Sequence, residues 1–252
     1  MAPVYSTENA VGIVLATGNT GKRLTENNSV KHLFMSRDGG LNWKSVRKGT
    51  YIYEIGDHGA IIVIAKKREP TNFIEFTWDE GNTWEKLVIS ERNLFVENII
   101  IEPNSVSQQF MVYGTYADDE DEEDLLEGSS FIAGDQAFLV YLDFSQLHEP
   151  QCKGVDNAGS PDSDYELWTP HDGRFGDNKC FLGMHKTFVR RKQDALCYNG
   201  EEYELVTHVE PCTCADIDYE CDMGYQRSEE MGGQCIEVET TDTEEQKAAD
   251  LL

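Results

Sequence analysis

Ser36-Arg37-Asp38-Gly39-Gly40-Leu41-Asn42-Trp43 and Thr77-Trp78-Asp79-Glu80-Gly81-Asn82-Thr83-Trp84 repeat one pattern, Ser/Thr-x-Asp-x-Gly-x-Asn/Thr-Trp, with starts 41 residues apart. The chemistry of a tight hairpin accounts for each fixed position. Gly40 and Gly81 supply the positive φ that the turn needs. Asp38 and Asp79 offer carboxylates to the N–H groups of the turn, and the hydroxyls of Ser36 and Thr77 bond locally in the same way. Trp43 and Trp84 then open the next strand and cover the hairpin with a large apolar ring. This is the pattern of the Asp-box, a hairpin of β-propeller blades, and the spacing suits one four-stranded blade of roughly 40–50 residues. The carboxylates are consumed by turn bonds, so Asp38 and Asp79 are read as structural and not catalytic.

Outward from the repeats, residues 11–144 read as successive short strands. The candidates are 11–17, 32–36, 43–46, 51–55, 61–65, 72–77, 84–88, 96–102, 109–115 and 137–144. β-branched and aromatic residues fill them, and Gly, Asp and Asn clusters separate them. Gly56-Asp57-His58-Gly59 reads as a turn, with His58 a turn residue because no second His or Cys stands at metal-site spacing. Residues 117–130 form an acidic loop in which Asp118 to Asp124 are consecutive acids, a run that repels itself. It lacks the even ligand spacing and central glycine of a calcium loop. Asp121 to Leu126 also spells an acidic dileucine signal, which we read as coincidence because it lies between two strands.

The composition narrows the partners. The chain of 252 residues carries 47 acids against 21 Lys and Arg, a net charge of −26. Nucleic acid is excluded as a partner, since binding it needs a basic surface. No stretch reaches the ~18 apolar residues that span a bilayer. The N-terminus has no basic region ahead of an apolar core, so no signal peptide is read there. It opens almost at once on strand-like residues, as the middle of a longer protein would.

All seven cysteines, Cys152, Cys180, Cys197, Cys212, Cys214, Cys221 and Cys235, follow residue 150. Dense cysteine in a loop-rich stretch of ~90 residues argues for a disulfide framework in an oxidising compartment. No Cys-x-x-Cys pair supports zinc, and no metal or other cofactor is expected. The odd count leaves at least one thiol without a partner in the chain. The expected organisation is a partial β-propeller over 1–146, a small and incomplete cysteine-rich module over 147–236 entered through the linker 147–151, and an acidic tail over 237–252.

Several further stretches carry a resemblance to a known family. They are Leu33 to Gly40, Tyr53 to Gly59, the second box, Tyr165-Glu166-Leu167-Trp168-Thr169-Pro170, Arg190-Arg191-Lys192-Gln193-Asp194-Ala195-Leu196-Cys197-Tyr198-Asn199-Gly200, and Cys221-Asp222-Met223-Gly224-Tyr225. Together they resemble the C-terminal half of the lumenal domain of sortilin-type receptors, which include the fungal vacuolar protein sorting receptors. The resemblance implies a mainly β fold: the last two to three blades of a ten-bladed propeller, followed by part of a ten-cysteine module. It implies pairing of Cys152 with Cys197, Cys180 with Cys212 and Cys221 with Cys235, with Cys214 left over. It also implies binding of soluble protein or peptide cargo, no enzyme activity, and a place in the lumen of Golgi and endosomal membranes, where the full-length relatives are membrane-anchored. No residue here matches a cargo-anchoring position.

Two other readings compete. One is a secreted, disulfide-bonded propeller with a structural or interaction role. The other is a sialidase-like hydrolase, which would need an arginine cluster with a paired Tyr, Glu and Asp, whereas the arginines here are scattered. Asn27-Asn28-Ser29 is a sequon, which makes Asn27 the candidate glycan acceptor. Two or three blades cannot close a ring, so at least two blade faces are expected to stay uncovered.

Overall fold

The computed structural model describes residues 4–25, 27–117, 136–147, 150–170, 180–214, 218–228 and 230–238. The acidic loop beyond Ala117, the tail from residue 239, and His148 and Glu149 of the linker lie outside the described residues. The chain divides into two compact units. The first takes the described residues up to 170 together with 187–207, and the second takes 180–186 and 208–238.

The first unit is a stack of antiparallel sheets. Strands β1 (Val14–Gly18), β2 (His32–Ser36) and β3 (Lys44–Lys48) form the first sheet in that order, and Tyr5 bridges Leu15 on the outer side of β1. The second sheet runs β4 (Tyr51–Gly56), β5 (Ile61–Lys66), β6 (Phe73–Thr77) and β7 (Glu85–Val88). The third is β8 (Leu94–Ile100), β9 (Gln109–Tyr116) and β10 (Ala137–Asp143). The 41-residue repeat is carried into space: β2 moved forward by that interval is β6, and β7 starts where β3 projects. Each boxed hairpin joins the last two strands of its sheet, β2 to β3 and β6 to β7.

The reason the sheets stack is legible in β5. Its run Ile61-Ile62-Val63-Ile64-Ala65 is apolar without interruption, the signature of a strand covered on both faces. Side chains alternate across a strand, so the run splits between two cores. Ile61, Val63 and Ala65 join Ile74 and Phe76 of their own sheet and Leu94, Val96, Ile99, Phe110, Val112, Phe138 and Leu142 of the third. Ile62 and Ile64 join Tyr51, Tyr53 and Ile55 and meet Leu15, Leu33 and Met35 of the first. Burying each such aliphatic side chain is worth roughly 1.5–3 kcal/mol. The second sheet is thereby held from both sides.

Several strand boundaries differ from the sequence expectation for local reasons. β1 begins at Val14 instead of Val11, because Gly12 turns at φ 77° and its carbonyl accepts from the Gly39 N–H at 2.9 Å. β8 begins at Leu94, two residues early, and bulges between Val96 and Asn98 opposite β9. Gly114 faces this bulge. A Cβ there would lie 2.0 Å from the Phe95 carbonyl oxygen, 2.9 Å from the Phe138 ring and 3.0 Å from the Glu97 nitrogen.

Past the third sheet, β11 (Tyr165–Trp168) pairs antiparallel with the end of β12 (Met184–Arg191), Tyr165 opposite Arg191 and Trp168 opposite Phe188. The Cys152–Cys197 bond ties the chain before β11 to the chain after β12. The second unit is built differently. It holds β13 (Thr207–Pro211, from His208 on) and the hairpin β14 (Tyr225–Ser228) with β15 (Gln234–Glu237). None of its described side chains is buried. The Cys180–Cys212 and Cys221–Cys235 bonds replace a core there, as small loop-rich units require.

Two predictions follow from the packing. Gly114→Ala is expected to cost about 3 kcal/mol, because the clash is with backbone atoms that cannot yield; a urea midpoint within error of wild type refutes it. The outward face of the third sheet leaves Met111, Leu139 and Tyr141 at 39%, 66% and 59% exposure, an apolar patch on which no sheet of the described residues is stacked. Purified alone at 0.15 M salt, where the net charge is screened, the chain is expected to self-associate. Leu139→Glu with Tyr141→Glu should shift it toward monomer in sedimentation velocity.

Candidate functional site: an arginine clamp across the paired hairpins

Both boxed hairpins have the turn geometry that their chemistry requires. Ser36 Oγ accepts from the Gly40 N–H at 2.8 Å and donates to Asp38 Oδ1 at 2.7 Å, and that same oxygen accepts the Asn42 N–H at 2.8 Å. Thr77 Oγ1 accepts from the Gly81 N–H at 3.0 Å and donates to Asp79 Oδ1 at 2.8 Å, which accepts the Thr83 N–H at 2.8 Å. Partial burial pushes both carboxyls up, but the hydrogen bonds from Asn42 and Thr83 outweigh it and hold Asp38 and Asp79 below the usual carboxylate range. Gly40 and Gly81 take φ of 98° and 80°. The residue before each glycine is also left-handed, Gly39 at 73° and Glu80 at 52°.

The two tryptophans differ. Each indole N–H donates to the glycine carbonyl of its own turn, Trp43 to Gly40 at 2.8 Å and Trp84 to Gly81 at 3.2 Å. Trp84 packs against the core shared by the first two sheets, with Arg47 over its ring. Trp43 is 41% exposed and covers little beyond its own turn.

What joins the hairpins is a segment that sequence reasoning left without a role, Arg190-Arg191-Lys192-Gln193. Arg190 and Arg191 are neighbours at the end of β12, so they point to opposite sides and reach different blades. Arg190 Nη1 donates to the Arg37 carbonyl at 2.6 Å and the Val11 carbonyl at 3.3 Å, Nε donates to Glu166 Oε1 at 2.9 Å, and the guanidinium lies over the Trp168 ring. Arg37, inside the first box, bonds Glu80 of the second, meets Glu166 at 2.9 Å, and donates to the Arg191 carbonyl at 3.2 Å. Arg191 is only 5% exposed; it donates to the Trp78 carbonyl at 2.7 Å and to the Ala195 carbonyl. Gln193 Nε2 reaches the Asp79 carbonyl at 3.3 Å. Burial works against the charge on all three arginines. At Arg37 the attraction of Glu80 and Glu166 prevails and its pKa is raised. At Arg190 and Arg191 burial prevails and theirs are lowered. Guanidinium is the group for this task because it keeps its charge and spreads several N–H donors in a plane.

The same loop makes a second attachment. The N–H groups of Asn199 and Gly200 donate to the Asp57 carboxylate at 2.8 and 2.7 Å, and the Asn199 side-chain amide donates to the Asp57 carbonyl at 2.8 Å. Tyr203 donates to the Val189 carbonyl at 3.0 Å and stacks on Tyr165. The Cys152–Cys197 bond closes the loop that carries Arg190, Arg191 and Gln193, and Asn199, Gly200 and Tyr203 follow within six residues of Cys197.

The remaining sequence-stated residues fall as follows. Asn27 is exposed, and its side-chain oxygen accepts from Ser29 N–H at 3.0 Å and Ser29 Oγ at 2.8 Å. Cys214 is an exposed free thiol. Among the described residues no group of three His, Cys, Asp or Glu is placed to hold a metal ion. The arrangement is a mechanical joint: it fixes a disulfide-closed loop across two consecutive blades. Arg191→Ala leaves two carbonyls without donors and is expected to cost about 3 kcal/mol. Arg191→Lys should recover less than half of that, since an ammonium cannot span both. Urea unfolding followed by tryptophan fluorescence reports on this unit, because all four tryptophans lie in it; an unchanged midpoint for both variants removes the clamp.

Comparison with known proteins gives one consistent result. Residues 1–99 match the family described as Sortilin, neurotensin receptor 3, and residues 101–250 match its C-terminal family. The vacuolar protein sorting/targeting protein 10 of Coccidioides posadasii is 38% identical over 93% of this chain and 15% of its own length. That of Uncinocarpus reesii is 35% identical over 98% of this chain and 16% of its own. The sortilin-related receptor of Homo sapiens is 32% identical over 91% of this chain and 9% of its own. The chain thus spans about a sixth or less of the length of the curated relatives it matches.

Proposed function

The chain belongs to the sortilin-type vacuolar protein sorting receptor family, and from that premise we propose that it is part of the lumenal region of a receptor that binds soluble protein or peptide cargo. On this reading the receptor carries cargo from the Golgi to endosomes or the vacuole and is no enzyme. The observation that carries the reading is the joint itself. The family's two parts meet in one compact unit here, where Arg190, Arg191 and Gln193 of the cysteine-rich part grip the hairpins of two blades.

We assign residues 1–146 to the blades, 147–236 to the cysteine-rich module and 237–252 to an acidic tail. Under this assignment the first disulfide loop of the module is a brace for the blades. A cargo-binding surface made of stacked sheets must keep its spacing, and a brace across the exposed hairpin ends supplies that rigidity. The boxed residues Ser36, Asp38, Gly40, Trp43, Thr77, Asp79, Gly81 and Trp84 have a structural role, and Asn27 is a lumenal glycan acceptor. Among the described residues no helix is long and apolar enough to cross a membrane; in the proposal the anchor belongs to the longer receptor.

The test uses that longer receptor in its own cells. Deleting the segment that encodes this chain is expected to divert soluble vacuolar hydrolases into the medium, with several-fold more secreted than in wild type. Arg191→Ala should give a partial version of the same defect. Normal retention after deletion overturns the sorting role. Turnover of a fluorogenic sialoside above buffer by the purified chain would overturn the non-enzymatic reading.

A further inference from the structure

The turn between β4 and β5 is under more constraint than a hairpin needs. Asp57, His58 and Gly59 follow one another at φ of 46°, 57° and 95°. Two of the three carry side chains, for which this region is unfavourable. The shape is imposed from outside. The Asp57 N–H donates to the Ser107 carbonyl at 2.9 Å and the His58 N–H to the Ser105 carbonyl at 3.0 Å. The docked loop completes it through the Asn199 and Gly200 N–H groups on the carboxylate.

Both side chains of this turn can titrate, and both are enclosed by the docked loop. Asp57 is fully buried, and no ion pair includes it among the described residues. His58 lies edge-on against Tyr203 with ring centres 4.9 Å apart, and both of its ring nitrogens are buried, with the Gly200 backbone as a weak acceptor beside the ring. The surrounding charges are few. Arg191 from β12 favours the Asp57 carboxylate, and the Gln108 amide donates to it. Tyr165 from β11 faces Asp57 and Tyr203 faces His58; burial pushes both phenols up, Tyr203 to about 12, so they stay neutral. Glu102 faces His58, with its carboxylate occupied by the N–H groups of Asn104, Val106 and Ser107.

We propose that Asp57 and His58 form an antagonistic proton-linked pair that sets how firmly the segment following Cys197, Asn199 to Tyr203, stays docked on the β4–β5 turn as pH changes. Undocking returns both groups to water. Burial pushes the docked Asp57 carboxyl up to about 6, against the pull of its hydrogen bonds and Arg191, from an ordinary 3.8. Docking through Asp57 therefore takes up a proton; this contribution is full below 3.8 and is lost as pH rises through about 6. Burial holds docked His58 below its ordinary 6.5, although the Gly200 backbone and Glu102 favour its charged form. Its contribution is full above 6.5 and is lost as pH falls. Acidification thus tightens docking through one residue and loosens it through the next, and the wild type follows the difference.

The experiment is amide hydrogen exchange at Asn199 and Gly200 in the full chain with its disulfides intact, from pH 7.5 to 5 and corrected for intrinsic rates. Asparagine tolerates the left-handed turn and does not titrate, so it serves at both positions. In His58→Asn only the carboxyl responds, and protection should rise about tenfold on acidification. In Asp57→Asn protection should fall over the same range, with wild type between the two. Slopes of the same sign in both variants overturn the proposal. Direct titration of wild type by carboxyl-carbon and imidazole resonances decides independently of whether the variants fold. Asp57 taking its proton near 6 while His58 stays neutral at that pH supports it. Asp57 protonating below 4, or His58 charging above 6.5, overturns it.

Discussion

Strand β5 has no solvent face, and the first unit is organised by that fact. Ile62 and Ile64 look into one core while Ile61, Val63 and Ala65 look into another. A strand of this kind is stable only with a sheet on each side, because exposing one face returns two of its aliphatic side chains to water and exposing the other returns three. The first and third sheets are therefore placed by the second. The boxed hairpins come to lie side by side because their strands occupy equivalent places in stacked sheets. Everything the cysteine-rich loop does at those hairpins presupposes this alignment.

The loop exploits it with polar groups. Hydrophobic packing fixes how far apart the sheets are, but it is tolerant of sliding. A guanidinium that must meet the Trp78 carbonyl on one side while its neighbour meets the Arg37 carbonyl on the other is not tolerant. The Arg37–Glu80 bond crosses directly from one box to the next, and Glu166 links that pair to Arg190. Such partly buried charges contribute little net stability when compared with apolar replacements, and their better-attested use is to specify one arrangement among several. Register between blades is such a choice. The Cys152–Cys197 bond shortens the path over which the loop can stray, so that these bonds re-form with the same partners. The second unit shows the opposite strategy, with two disulfides and no buried side chain among its described residues.

Much of the fold was open to reading from local chemistry. The two boxes, the two-faced run of β5 and the Gly56 to Gly59 turn each declare themselves through residues that have few other uses. Strand ends were less legible, since the bulge in β8 is set by what β9 presents across from it and the late start of β1 by a bond between Gly12 and Gly39. The exposure of Trp43 beside the partial burial of Trp84 has the same origin. Identical positions in a repeat meet different neighbours.

The candidate site was the least legible part. Arg190 and Arg191 stand in a stretch that carried the family resemblance, but nothing in their local pattern beyond the adjacency of two charges pointed to a clamp. Asp57 looked like an ordinary turn residue; its burial arises from Asn199 and Gly200, which lie more than 140 residues away. Turn chemistry, strand periodicity and cysteine number act over a few residues or by simple count, so the blade repeat, the mainly β class, the disulfide framework and the odd thiol could be read along the chain. Which carbonyls the arginines grip and which carboxylate loses its water depend on surfaces that meet after the sheets have stacked, and no local pattern encodes them.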